Sequence, residues 1–495
     1  MSSPPTIWDR VANAARSVFG YHVVDTSRNR RQIPAANLKT EDKTLTKNKR
    51  ERLIETARDA NRNFAVTAWC VRKHLDFVTS HHFHCRAKDR GLRDDIEAYI
   101  AERMKPDAFD RRGRHHMDRW MRILEARAVL DGDIFGIRLS DGTMQAAEGI
   151  YCRNPKREVH GYKREQWEHG VYLDEAGKAK AYCFATRPQL DQSIDQIVSR
   201  DKVVHHGYFD RFDQARGVGL VTPGLANAVD LYETLDYAVA KAKVAQLFAL
   251  AIYRQGETAP APVTNVQQGA GQTTNPEAPK SQHEIDFGKG PAFLDLEPGE
   301  RAEFLHNQSP GIDPEFLRTL CILTLSALDL PYCWLDASDA NFFGNRGALI
   351  LYLASCKQKR KSIVTVRNDW TDWQLERAFA NGDLLRPSQP IPFKWQAEGV
   401  PFWNPAQEVS AHVTAIENVL DTRQRVVEET HGVDWEDLLE QAQYEHEQLV
   451  ERGLLPATAK APGLQPTDED LNAKRDRKRA KTSNGNTLPR FMLSP

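Results

Sequence analysis

The stretch Arg216-Gly217-Val218-Gly219-Leu220-Val221-Thr222-Pro223-Gly224, running into Leu225 to Tyr253, decides how the chain is read. Glycine and proline punctuate its first part. From Leu225 to Tyr253 there is neither, and alanine is frequent. Thr222-Pro223-Gly224 therefore opens a helix of about 30 residues, or about 45 Å at 1.5 Å per residue. Leu225, Val229, Tyr232, Asp236, Val239 and Lys243 fall on neighbouring faces, so the apolar stripe is imperfect. The alanines predict close contact with another helix. Lys241, Lys243 and Gln246 make the most apolar part, Val239 to Tyr253, too short and too polar to span a bilayer.

Towards the N-terminus, short β-like runs fill the region from Gly132 to Gly207, separated by Asp-Gly, Asn-Pro and Ala-Gly punctuation. Residues 50–132 read mainly as helix: Leu53, Ala57, Ala60, Phe64 and Trp69 recur at helical spacing, and Met117 to Leu130 forms a second run. Helices and strands lie in separate blocks, which predicts an α+β body rather than alternating βαβ units. Residues 1–53 read as an arm, with Arg28, Arg30, Arg31, Lys39, Lys43, Lys47, Lys49, Arg50 and Arg52 among polar residues. Such an arm suits either nucleic-acid contact or plain solvation.

Towards the C-terminus, residues 255–292 are low in complexity and read as a loop or linker. Asp313 followed by Pro314 starts a helix to about Ala327. A turn-like segment, Leu330 to Gly347, precedes helices over Ala348 to Lys361 and Asp369 to Asn381. Asn404 to Leu455 is strongly helical, with Asp434 as a cap. From Pro456 the chain becomes a tail with eight bases against four acids.

With 495 residues the chain is long enough for about three structural units. Its 67 Lys and Arg nearly cancel 68 Asp and Glu, which argues against coating nucleic acid by bulk charge. The first 25 residues lack the charged-then-apolar pattern of a secretory signal. The seven cysteines form no CxxC pair, and reduced thiols are expected.

Catalytic signals are weak throughout. His81-His82-Phe83-His84-Cys85 offers zinc-type ligands, but no second ligand pair follows at a suitable distance. His115-His116 and His205-His206 are adjacent pairs, which rarely point at one metal. There is no phosphate-binding G-x-x-x-x-G-K-[ST] and no G-x-S-x-G elbow. No catalytic residue, metal or cofactor is assigned, and a structural or assembly protein is favoured over an enzyme. Two alternatives stay open: a metal-dependent DNA-processing enzyme using the HHFHC cluster, and a monomeric nucleic-acid-binding protein using residues 28–52.

Five phrases, in order, resemble the lambda-type portal proteins of tailed bacteriophages. They are Asp131-Gly132-Asp133-Ile134-Phe135; Arg216 to Pro223, with Asp230, Tyr232, Ala240 and Ala242 beyond; Leu296-Glu297-Pro298-Gly299-Glu300; Leu328-Asp329-Leu330-Pro331-Tyr332 with Leu335 to Asp339, Asn341-Phe342 and Arg346; and Trp403-Asn404-Pro405 with Glu408. Thr422-Arg423 and Gly432 to Glu436 follow. The chain departs from the family where Phe343-Gly344 replace two serines, which leaves the role of those hydroxyls in doubt.

The resemblance implies a portal fold assembling as a ring, typically of twelve copies, at one capsid vertex. Residues 1–53 would be the arm, 54–223 the wing, 224–254 the first stem helix and 255–312 the clip. Residues 313–330 would be the second stem helix, 331–347 the tunnel loop, and 348–403 a long helix and return to the wing. Residues 404–455 would be a helical crown and 456–495 a basic tail. Double-stranded DNA would pass through the channel during packaging and ejection. Asp336 and Asp339 would weaken static attraction to it, or merely turn the loop. Asn341, Asn345 and Arg346 would touch phosphates in passing, or Arg346 would pair with a carboxylate at the helix start. Lys474, Arg475, Arg477, Lys478 and Arg479 are tail candidates for DNA contact. The implied partners are the large terminase subunit, the major capsid and scaffold proteins, and a head–tail connector or adaptor. No membrane is involved. The particle would be assembled in the host cytoplasm, and the protein would reside at the virion's capsid vertex.

Overall fold

A computed structural model describes residues 40–186, 194–247, 251–254, 300–303, 313–338 and 341–454. The first part is helical: α1 (Glu41–Thr44), α2 (Lys47–Asn63), α3 (Ala65–Val78), then, after strand β1 (His81–Cys85), α4 (Arg90–Arg103), α5 (Pro106–Phe109) and α6 (Met117–Asp131). Helix α6 shows why: Met117, Trp120, Met121, Leu124 and Ala128 recur on one face, and all are buried. Burying side chains of this size stabilises by about 1.5–3 kcal/mol each for the larger ones. The helix stops at Gly132, whose φ of 100° disfavours any residue with a Cβ.

Strands follow: β2 (Asp133–Arg138), β3 (Met144–Glu148), β4 (Trp167–Glu168), β5 (Val171–Leu173), β6 (Ala179–Thr186), β7 (Ile194–Ser199) and β8 (Val203–Gly207). They form two antiparallel sheets, ordered β3-β2-β8 and β4-β5-β6-β7. In the first, Ile134 lies opposite Glu148 on one side and His206 on the other. Strand β2 is buried nearly throughout because both of its faces are covered. Ile134 joins the helical core with Trp120 and Leu124. Phe135 points the other way, 5.4 Å from Tyr182 and 5.2 Å from Phe184 of the second sheet. The body is thus helices on sheet on sheet, an α+β arrangement.

Two helices packed on each other follow. Helix α7 covers Thr222–Leu247, and β9 (Ala251–Arg254) pairs antiparallel with β10 (Glu300–Glu303). The sequence pattern predicts one helix to Tyr253; instead its last three residues join a ladder with Arg254, where Ile252 and Tyr253 suit strand geometry. Helix α8 (Pro314–Ser326) is capped by Asp313, whose carboxylate accepts from the Glu315 amide at 3.0 Å. It lies against α7, and Gly224 permits the close approach: a Cβ there would come 3.0 Å from the Ala327 Cβ and the Thr324 carbonyl.

Helix α9 covers Phe342–Asn381, 40 residues and about 60 Å long. The pattern predicts separate helices ending near Lys361 and restarting at Asp369. The β-branched run Ile363 to Val366 suggests that break, but it contains no Gly or Pro, and Ile363, Val366 and Trp370 are buried on the body. Tertiary packing overrides local preference here. The chain returns through β11 (Phe393–Ala397), paired with β1, and ends in α10 (Pro405–Glu417), α11 (Arg423–Thr430) and α12 (Trp435–Glu451).

Candidate functional site: a buried polar junction beneath the long helices

Two of the sequence phrases meet, although their residues lie 83 apart. Arg216 and Asp133 are fully buried and joined in a fork: the Asp133 carboxylate accepts from Arg216 Nε at 2.6 Å and Nη2 at 2.8 Å. The remaining guanidinium protons go to the carbonyls of Cys152, His169 and Gly149 at 2.8–3.1 Å. Asp133 also accepts from the Gly217 amide at 2.9 Å and faces His205 Nε2 at 3.2 Å. Every buried polar atom of the pair is matched, which a buried ion pair requires. Burial alone would raise the Asp133 carboxyl; the Arg216 charge, its hydrogen bonds and His205 outweigh that and hold it well below the ordinary carboxylate range.

The glycines are part of this construction. A Cβ on Gly132 would come 2.5 Å from the Gly217 carbonyl oxygen, and one on Gly217 would come 2.2 Å from that of Gly132. The two backbones cross too closely for any side chain. The N-terminal helices lock on from outside. Arg50 donates to the Gly217 carbonyl at 2.7 Å, Asp42 accepts from the Ala215 amide at 2.7 Å, and Arg58 pairs with Asp131 and Glu148. The sequence pattern groups Arg50 with the basic arm, yet it is buried in the body. Tyr232, from the same phrase as Arg216, stacks on Phe64 at 4.1 Å and donates to the Asn63 carbonyl at 2.6 Å. The base of α7 is thereby fixed to the α2–α3 corner.

A second buried group adjoins it. Glu125, on the apolar face of α6, accepts from His74 Nε2 and His206 Nε2 at 2.8 Å each and from the Tyr208 hydroxyl. Burial would raise this carboxyl, but the bonds from His206 and His74 hold it well below its usual range. Sequence reading missed Glu125. The available signal was a lone acid on the stripe formed by Met121, Leu124 and Ala128.

The predicted loop residues are placed less dramatically. Asp336 is exposed and turns its loop, accepting from the Ser338 amide at 3.0 Å. Asp339 lies outside the described residues. Asn341 caps α9, its side-chain oxygen accepting from the Gly344 amide at 2.6 Å. Because the helix starts at Phe342, Asn345 and Arg346 belong to its first turns and not to a loop. Arg346 pairs with Glu408 of α10 at 3.2 Å, and Phe342 packs 6.0 Å from Trp403. The fourth and fifth phrases therefore meet, as the first and second do. No hydrogen bond or ion pair among the described residues joins Asp336 to the Asn341–Arg346 group. Lys474, Arg475, Arg477, Lys478 and Arg479 lie outside the described residues.

The HHFHC segment is strand β1, so its side chains alternate. His81 and Cys85 are buried, while His82 is exposed. Burial, then the neighbouring Arg367, holds His81 down to about 3. Likewise His205 faces Asp133 while His206 faces Glu125. Among the described residues, no group of three or more His, Cys, Asp or Glu is placed to hold a metal ion. No described helix is long and apolar enough to cross a membrane.

The sequence model described as "Phage portal protein, lambda family" matches residues 28–359, and the chain belongs to that family of bacteriophage portal proteins. Similar solved structures include the virion of a native gene transfer agent particle (13% identity, 76% of this chain and 93% of that one, TM-score 0.46). Others are the neck of the empty particle computed with C6 symmetry (14% identity, 76% and 92%, TM-score 0.44) and the neck of the native particle computed with C12 symmetry (15% identity, 76% and 93%, TM-score 0.41). No curated protein matches the chain.

Proposed function

We propose that the chain assembles into a closed ring of about twelve copies at one capsid vertex, as the conduit for double-stranded DNA during packaging and ejection. The observation that carries this reading is the distribution of exposed apolar side chains. The body buries its own core. Tyr237 and Val239 of α7, Phe316 of α8, Leu351 of α9, Val413 of α10 and Leu439 of α12 are each at least 48% exposed in one chain. Exposed apolar residues on several successive helices mark surfaces that a partner covers. A ring of heterologous contacts between copies covers all of them at once.

In this reading residues 54–223 form the wing, α7 and α8 the stem, residues 331–347 the tunnel segment, and α10 to α12 the crown. The near-zero net charge suits a channel that must release DNA, since a strongly basic bore would hold the phosphates. Asp336 and Asp339 reduce attraction, and the tail bases at 474–479 meet packaged DNA. Arg346 serves the Glu408 ion pair rather than phosphate. The clip at 255–312 is the docking platform for the large terminase subunit, which supplies the ATP-driven force, and later for the connector. Capsid and scaffold proteins hold the wing and crown during assembly in the host cytoplasm. Negative-stain images of the purified protein test this. Rings with a central hole wide enough for a duplex, about 20 Å, are expected; single compact particles at every concentration would contradict it.

A further inference from the structure

The loop Asp110-Arg111-Arg112-Gly113-Arg114-His115-His116, between α5 and α6, carries charge that its own chain does not use. Arg58, Arg122, Arg216 and Arg367 of the body each meet a carboxylate. Arg111, Arg112 and Arg114 are exposed, and among the described residues their guanidiniums make no hydrogen bond or ion pair. Two carboxylates stand beside the loop without pairing to them. Asp141 accepts from the Thr143 amide at 2.9 Å and hydroxyl at 2.7 Å, and Asp107 lies where a Cβ on Gly113 would meet it at 2.7 Å. The Arg111 charge lowers the Asp141 carboxyl less than those Thr143 bonds do. The loop is nevertheless firmly built. Buried Asp110 accepts from the Arg112 and Arg114 amides at 3.2 Å each, the Gly113 amide donates to the Asp110 carbonyl at 2.7 Å, and the Arg111 amide donates to the Met144 carbonyl at 3.0 Å.

The surroundings decide what such a loop would hold. Among the described residues from 40 to 149, no large apolar side chain is exposed; Ile150 is the first. Phe109, Met117 and Trp120, which flank the loop, are buried in their own chain. A protein partner would need an apolar centre to its interface, and this surface offers none. Unpaired bases would need exposed aromatic rings to stack on, and it offers none of those either. The phosphates of a duplex ask only for fixed positive charge on a polar surface. The dimensions agree. Arg111 to Arg114 span at most about 11 Å of chain, against about 3.4 Å of axis per phosphate along one strand. Three guanidiniums on so short a loop reach neighbouring phosphates.

We infer that the loop Asp110–His116 is a site for the phosphate backbone of double-stranded DNA, with Arg111, Arg112 and Arg114 each on a phosphate and Asp110 fixing the loop that presents them. It is separate from the arm, the 331–347 segment and the tail bases. Arginines on phosphates position a duplex and carry no sequence information, so the contact is blind to sequence. One copy of the chain suffices for it, and it therefore stands or falls apart from the ring reading.

The test uses the full chain. Wild type, the triple variant Arg111→Ala, Arg112→Ala, Arg114→Ala, and the same three positions changed to Lys are compared for binding of a labelled duplex oligonucleotide across a salt series. Bases of the arm and tail are common to all three proteins and cancel in the difference. The alanine variant is expected to bind at least about tenfold more weakly at low salt, with the slope of log affinity against log salt shallower by about three. Two duplexes of unrelated sequence should lose the same factor, and the lysine variant should keep most of the affinity. All three side chains are exposed, so melting temperatures should stay together. Native mass is read on the same samples and should not differ between the proteins, whether they form rings or not. Unchanged affinity and slope in the alanine variant would overturn the site. So would a variant that keeps the duplex but releases poly-glutamate, which would assign the arginines to an acidic protein, or one that loses the ring while its duplex affinity is unchanged.

Discussion

The sheet-and-helix body and the C-terminal three-helix module use their apolar and charged residues in opposite ways. In the body, Phe109, Trp120, Phe135 and Tyr182 are buried, and even its ions, Asp133 and Arg216, are inside and fully matched. In the module, α10 and α12 have no buried residue at all, and Val427 of α11 is the one buried apolar side chain of the three helices. What fastens the module to the body is largely ionic: Arg86 to Glu428 and Asp434 at 2.7 and 3.0 Å, Lys394 to Glu428 at 2.6 Å, and Arg93 to Glu440. Partly exposed pairs of this kind are worth little singly. The body buries most of its large apolar side chains within one chain; the module leaves most of its own exposed.

The comparison can be broken at several points. The largest effect should come from Arg216→Ala, which strands the Asp133 carboxylate in the core. A loss of about 3–5 kcal/mol in urea unfolding is expected, and a loss under about 1 kcal/mol would mean that the junction does not hold the body together. Glu125→Gln removes the charge that His74 and His206 face. About 1–3 kcal/mol should be lost, read in the same way.

Acid sharpens the contrast. Asp133 and Glu125 both have folded-state pKa values below their unfolded ones. Their stabilisation is therefore full above the ordinary carboxylate range and is lost as pH falls through that range towards the folded values. Wild-type urea midpoints should drop between about pH 5 and pH 3, and Arg216→Ala should drop less, because its Asp133 contribution is already gone. A parallel decline in the two proteins would contradict the assignment. The smallest effect on chain stability is expected from Leu439→Asp on the module, within about 0.5 kcal/mol of wild type, although assembly should fail. A large stability loss there would mean that the module is packed within its own chain.

The difference between the regions also governs what could be read in advance. Helix periodicity located α6, the Asp313 and Asp434 caps and the opening of α7, because those signals are local. By local pattern alone α9 reads as two helices, where the resemblance implies one, since its continuity depends on Ile363 and Val366 finding a buried face that no local window contains. The Asp133–Arg216 pair was visible only as two separate phrases; 83 residues of intervening chain carry no mark of their register. The pattern places Arg346 with the loop, facing phosphate or a carboxylate at the helix start; the carboxylate it meets, Glu408, belongs to a helix 62 residues later that brings it back only after the chain has turned through β11. The exposed stripes of α10 and α12 were legible as helices but not as uncovered ones, because amphipathic spacing is the same whether a helix faces its own core or a neighbour's.

The central claim is that this chain is completed by copies of itself. Light scattering of the purified full-length protein across a concentration series tests it most directly. The account predicts a single species near twelve times 56.2 kDa, about 670 kDa, that persists on dilution. A stable species of 56.2 kDa at every concentration and salt would contradict it.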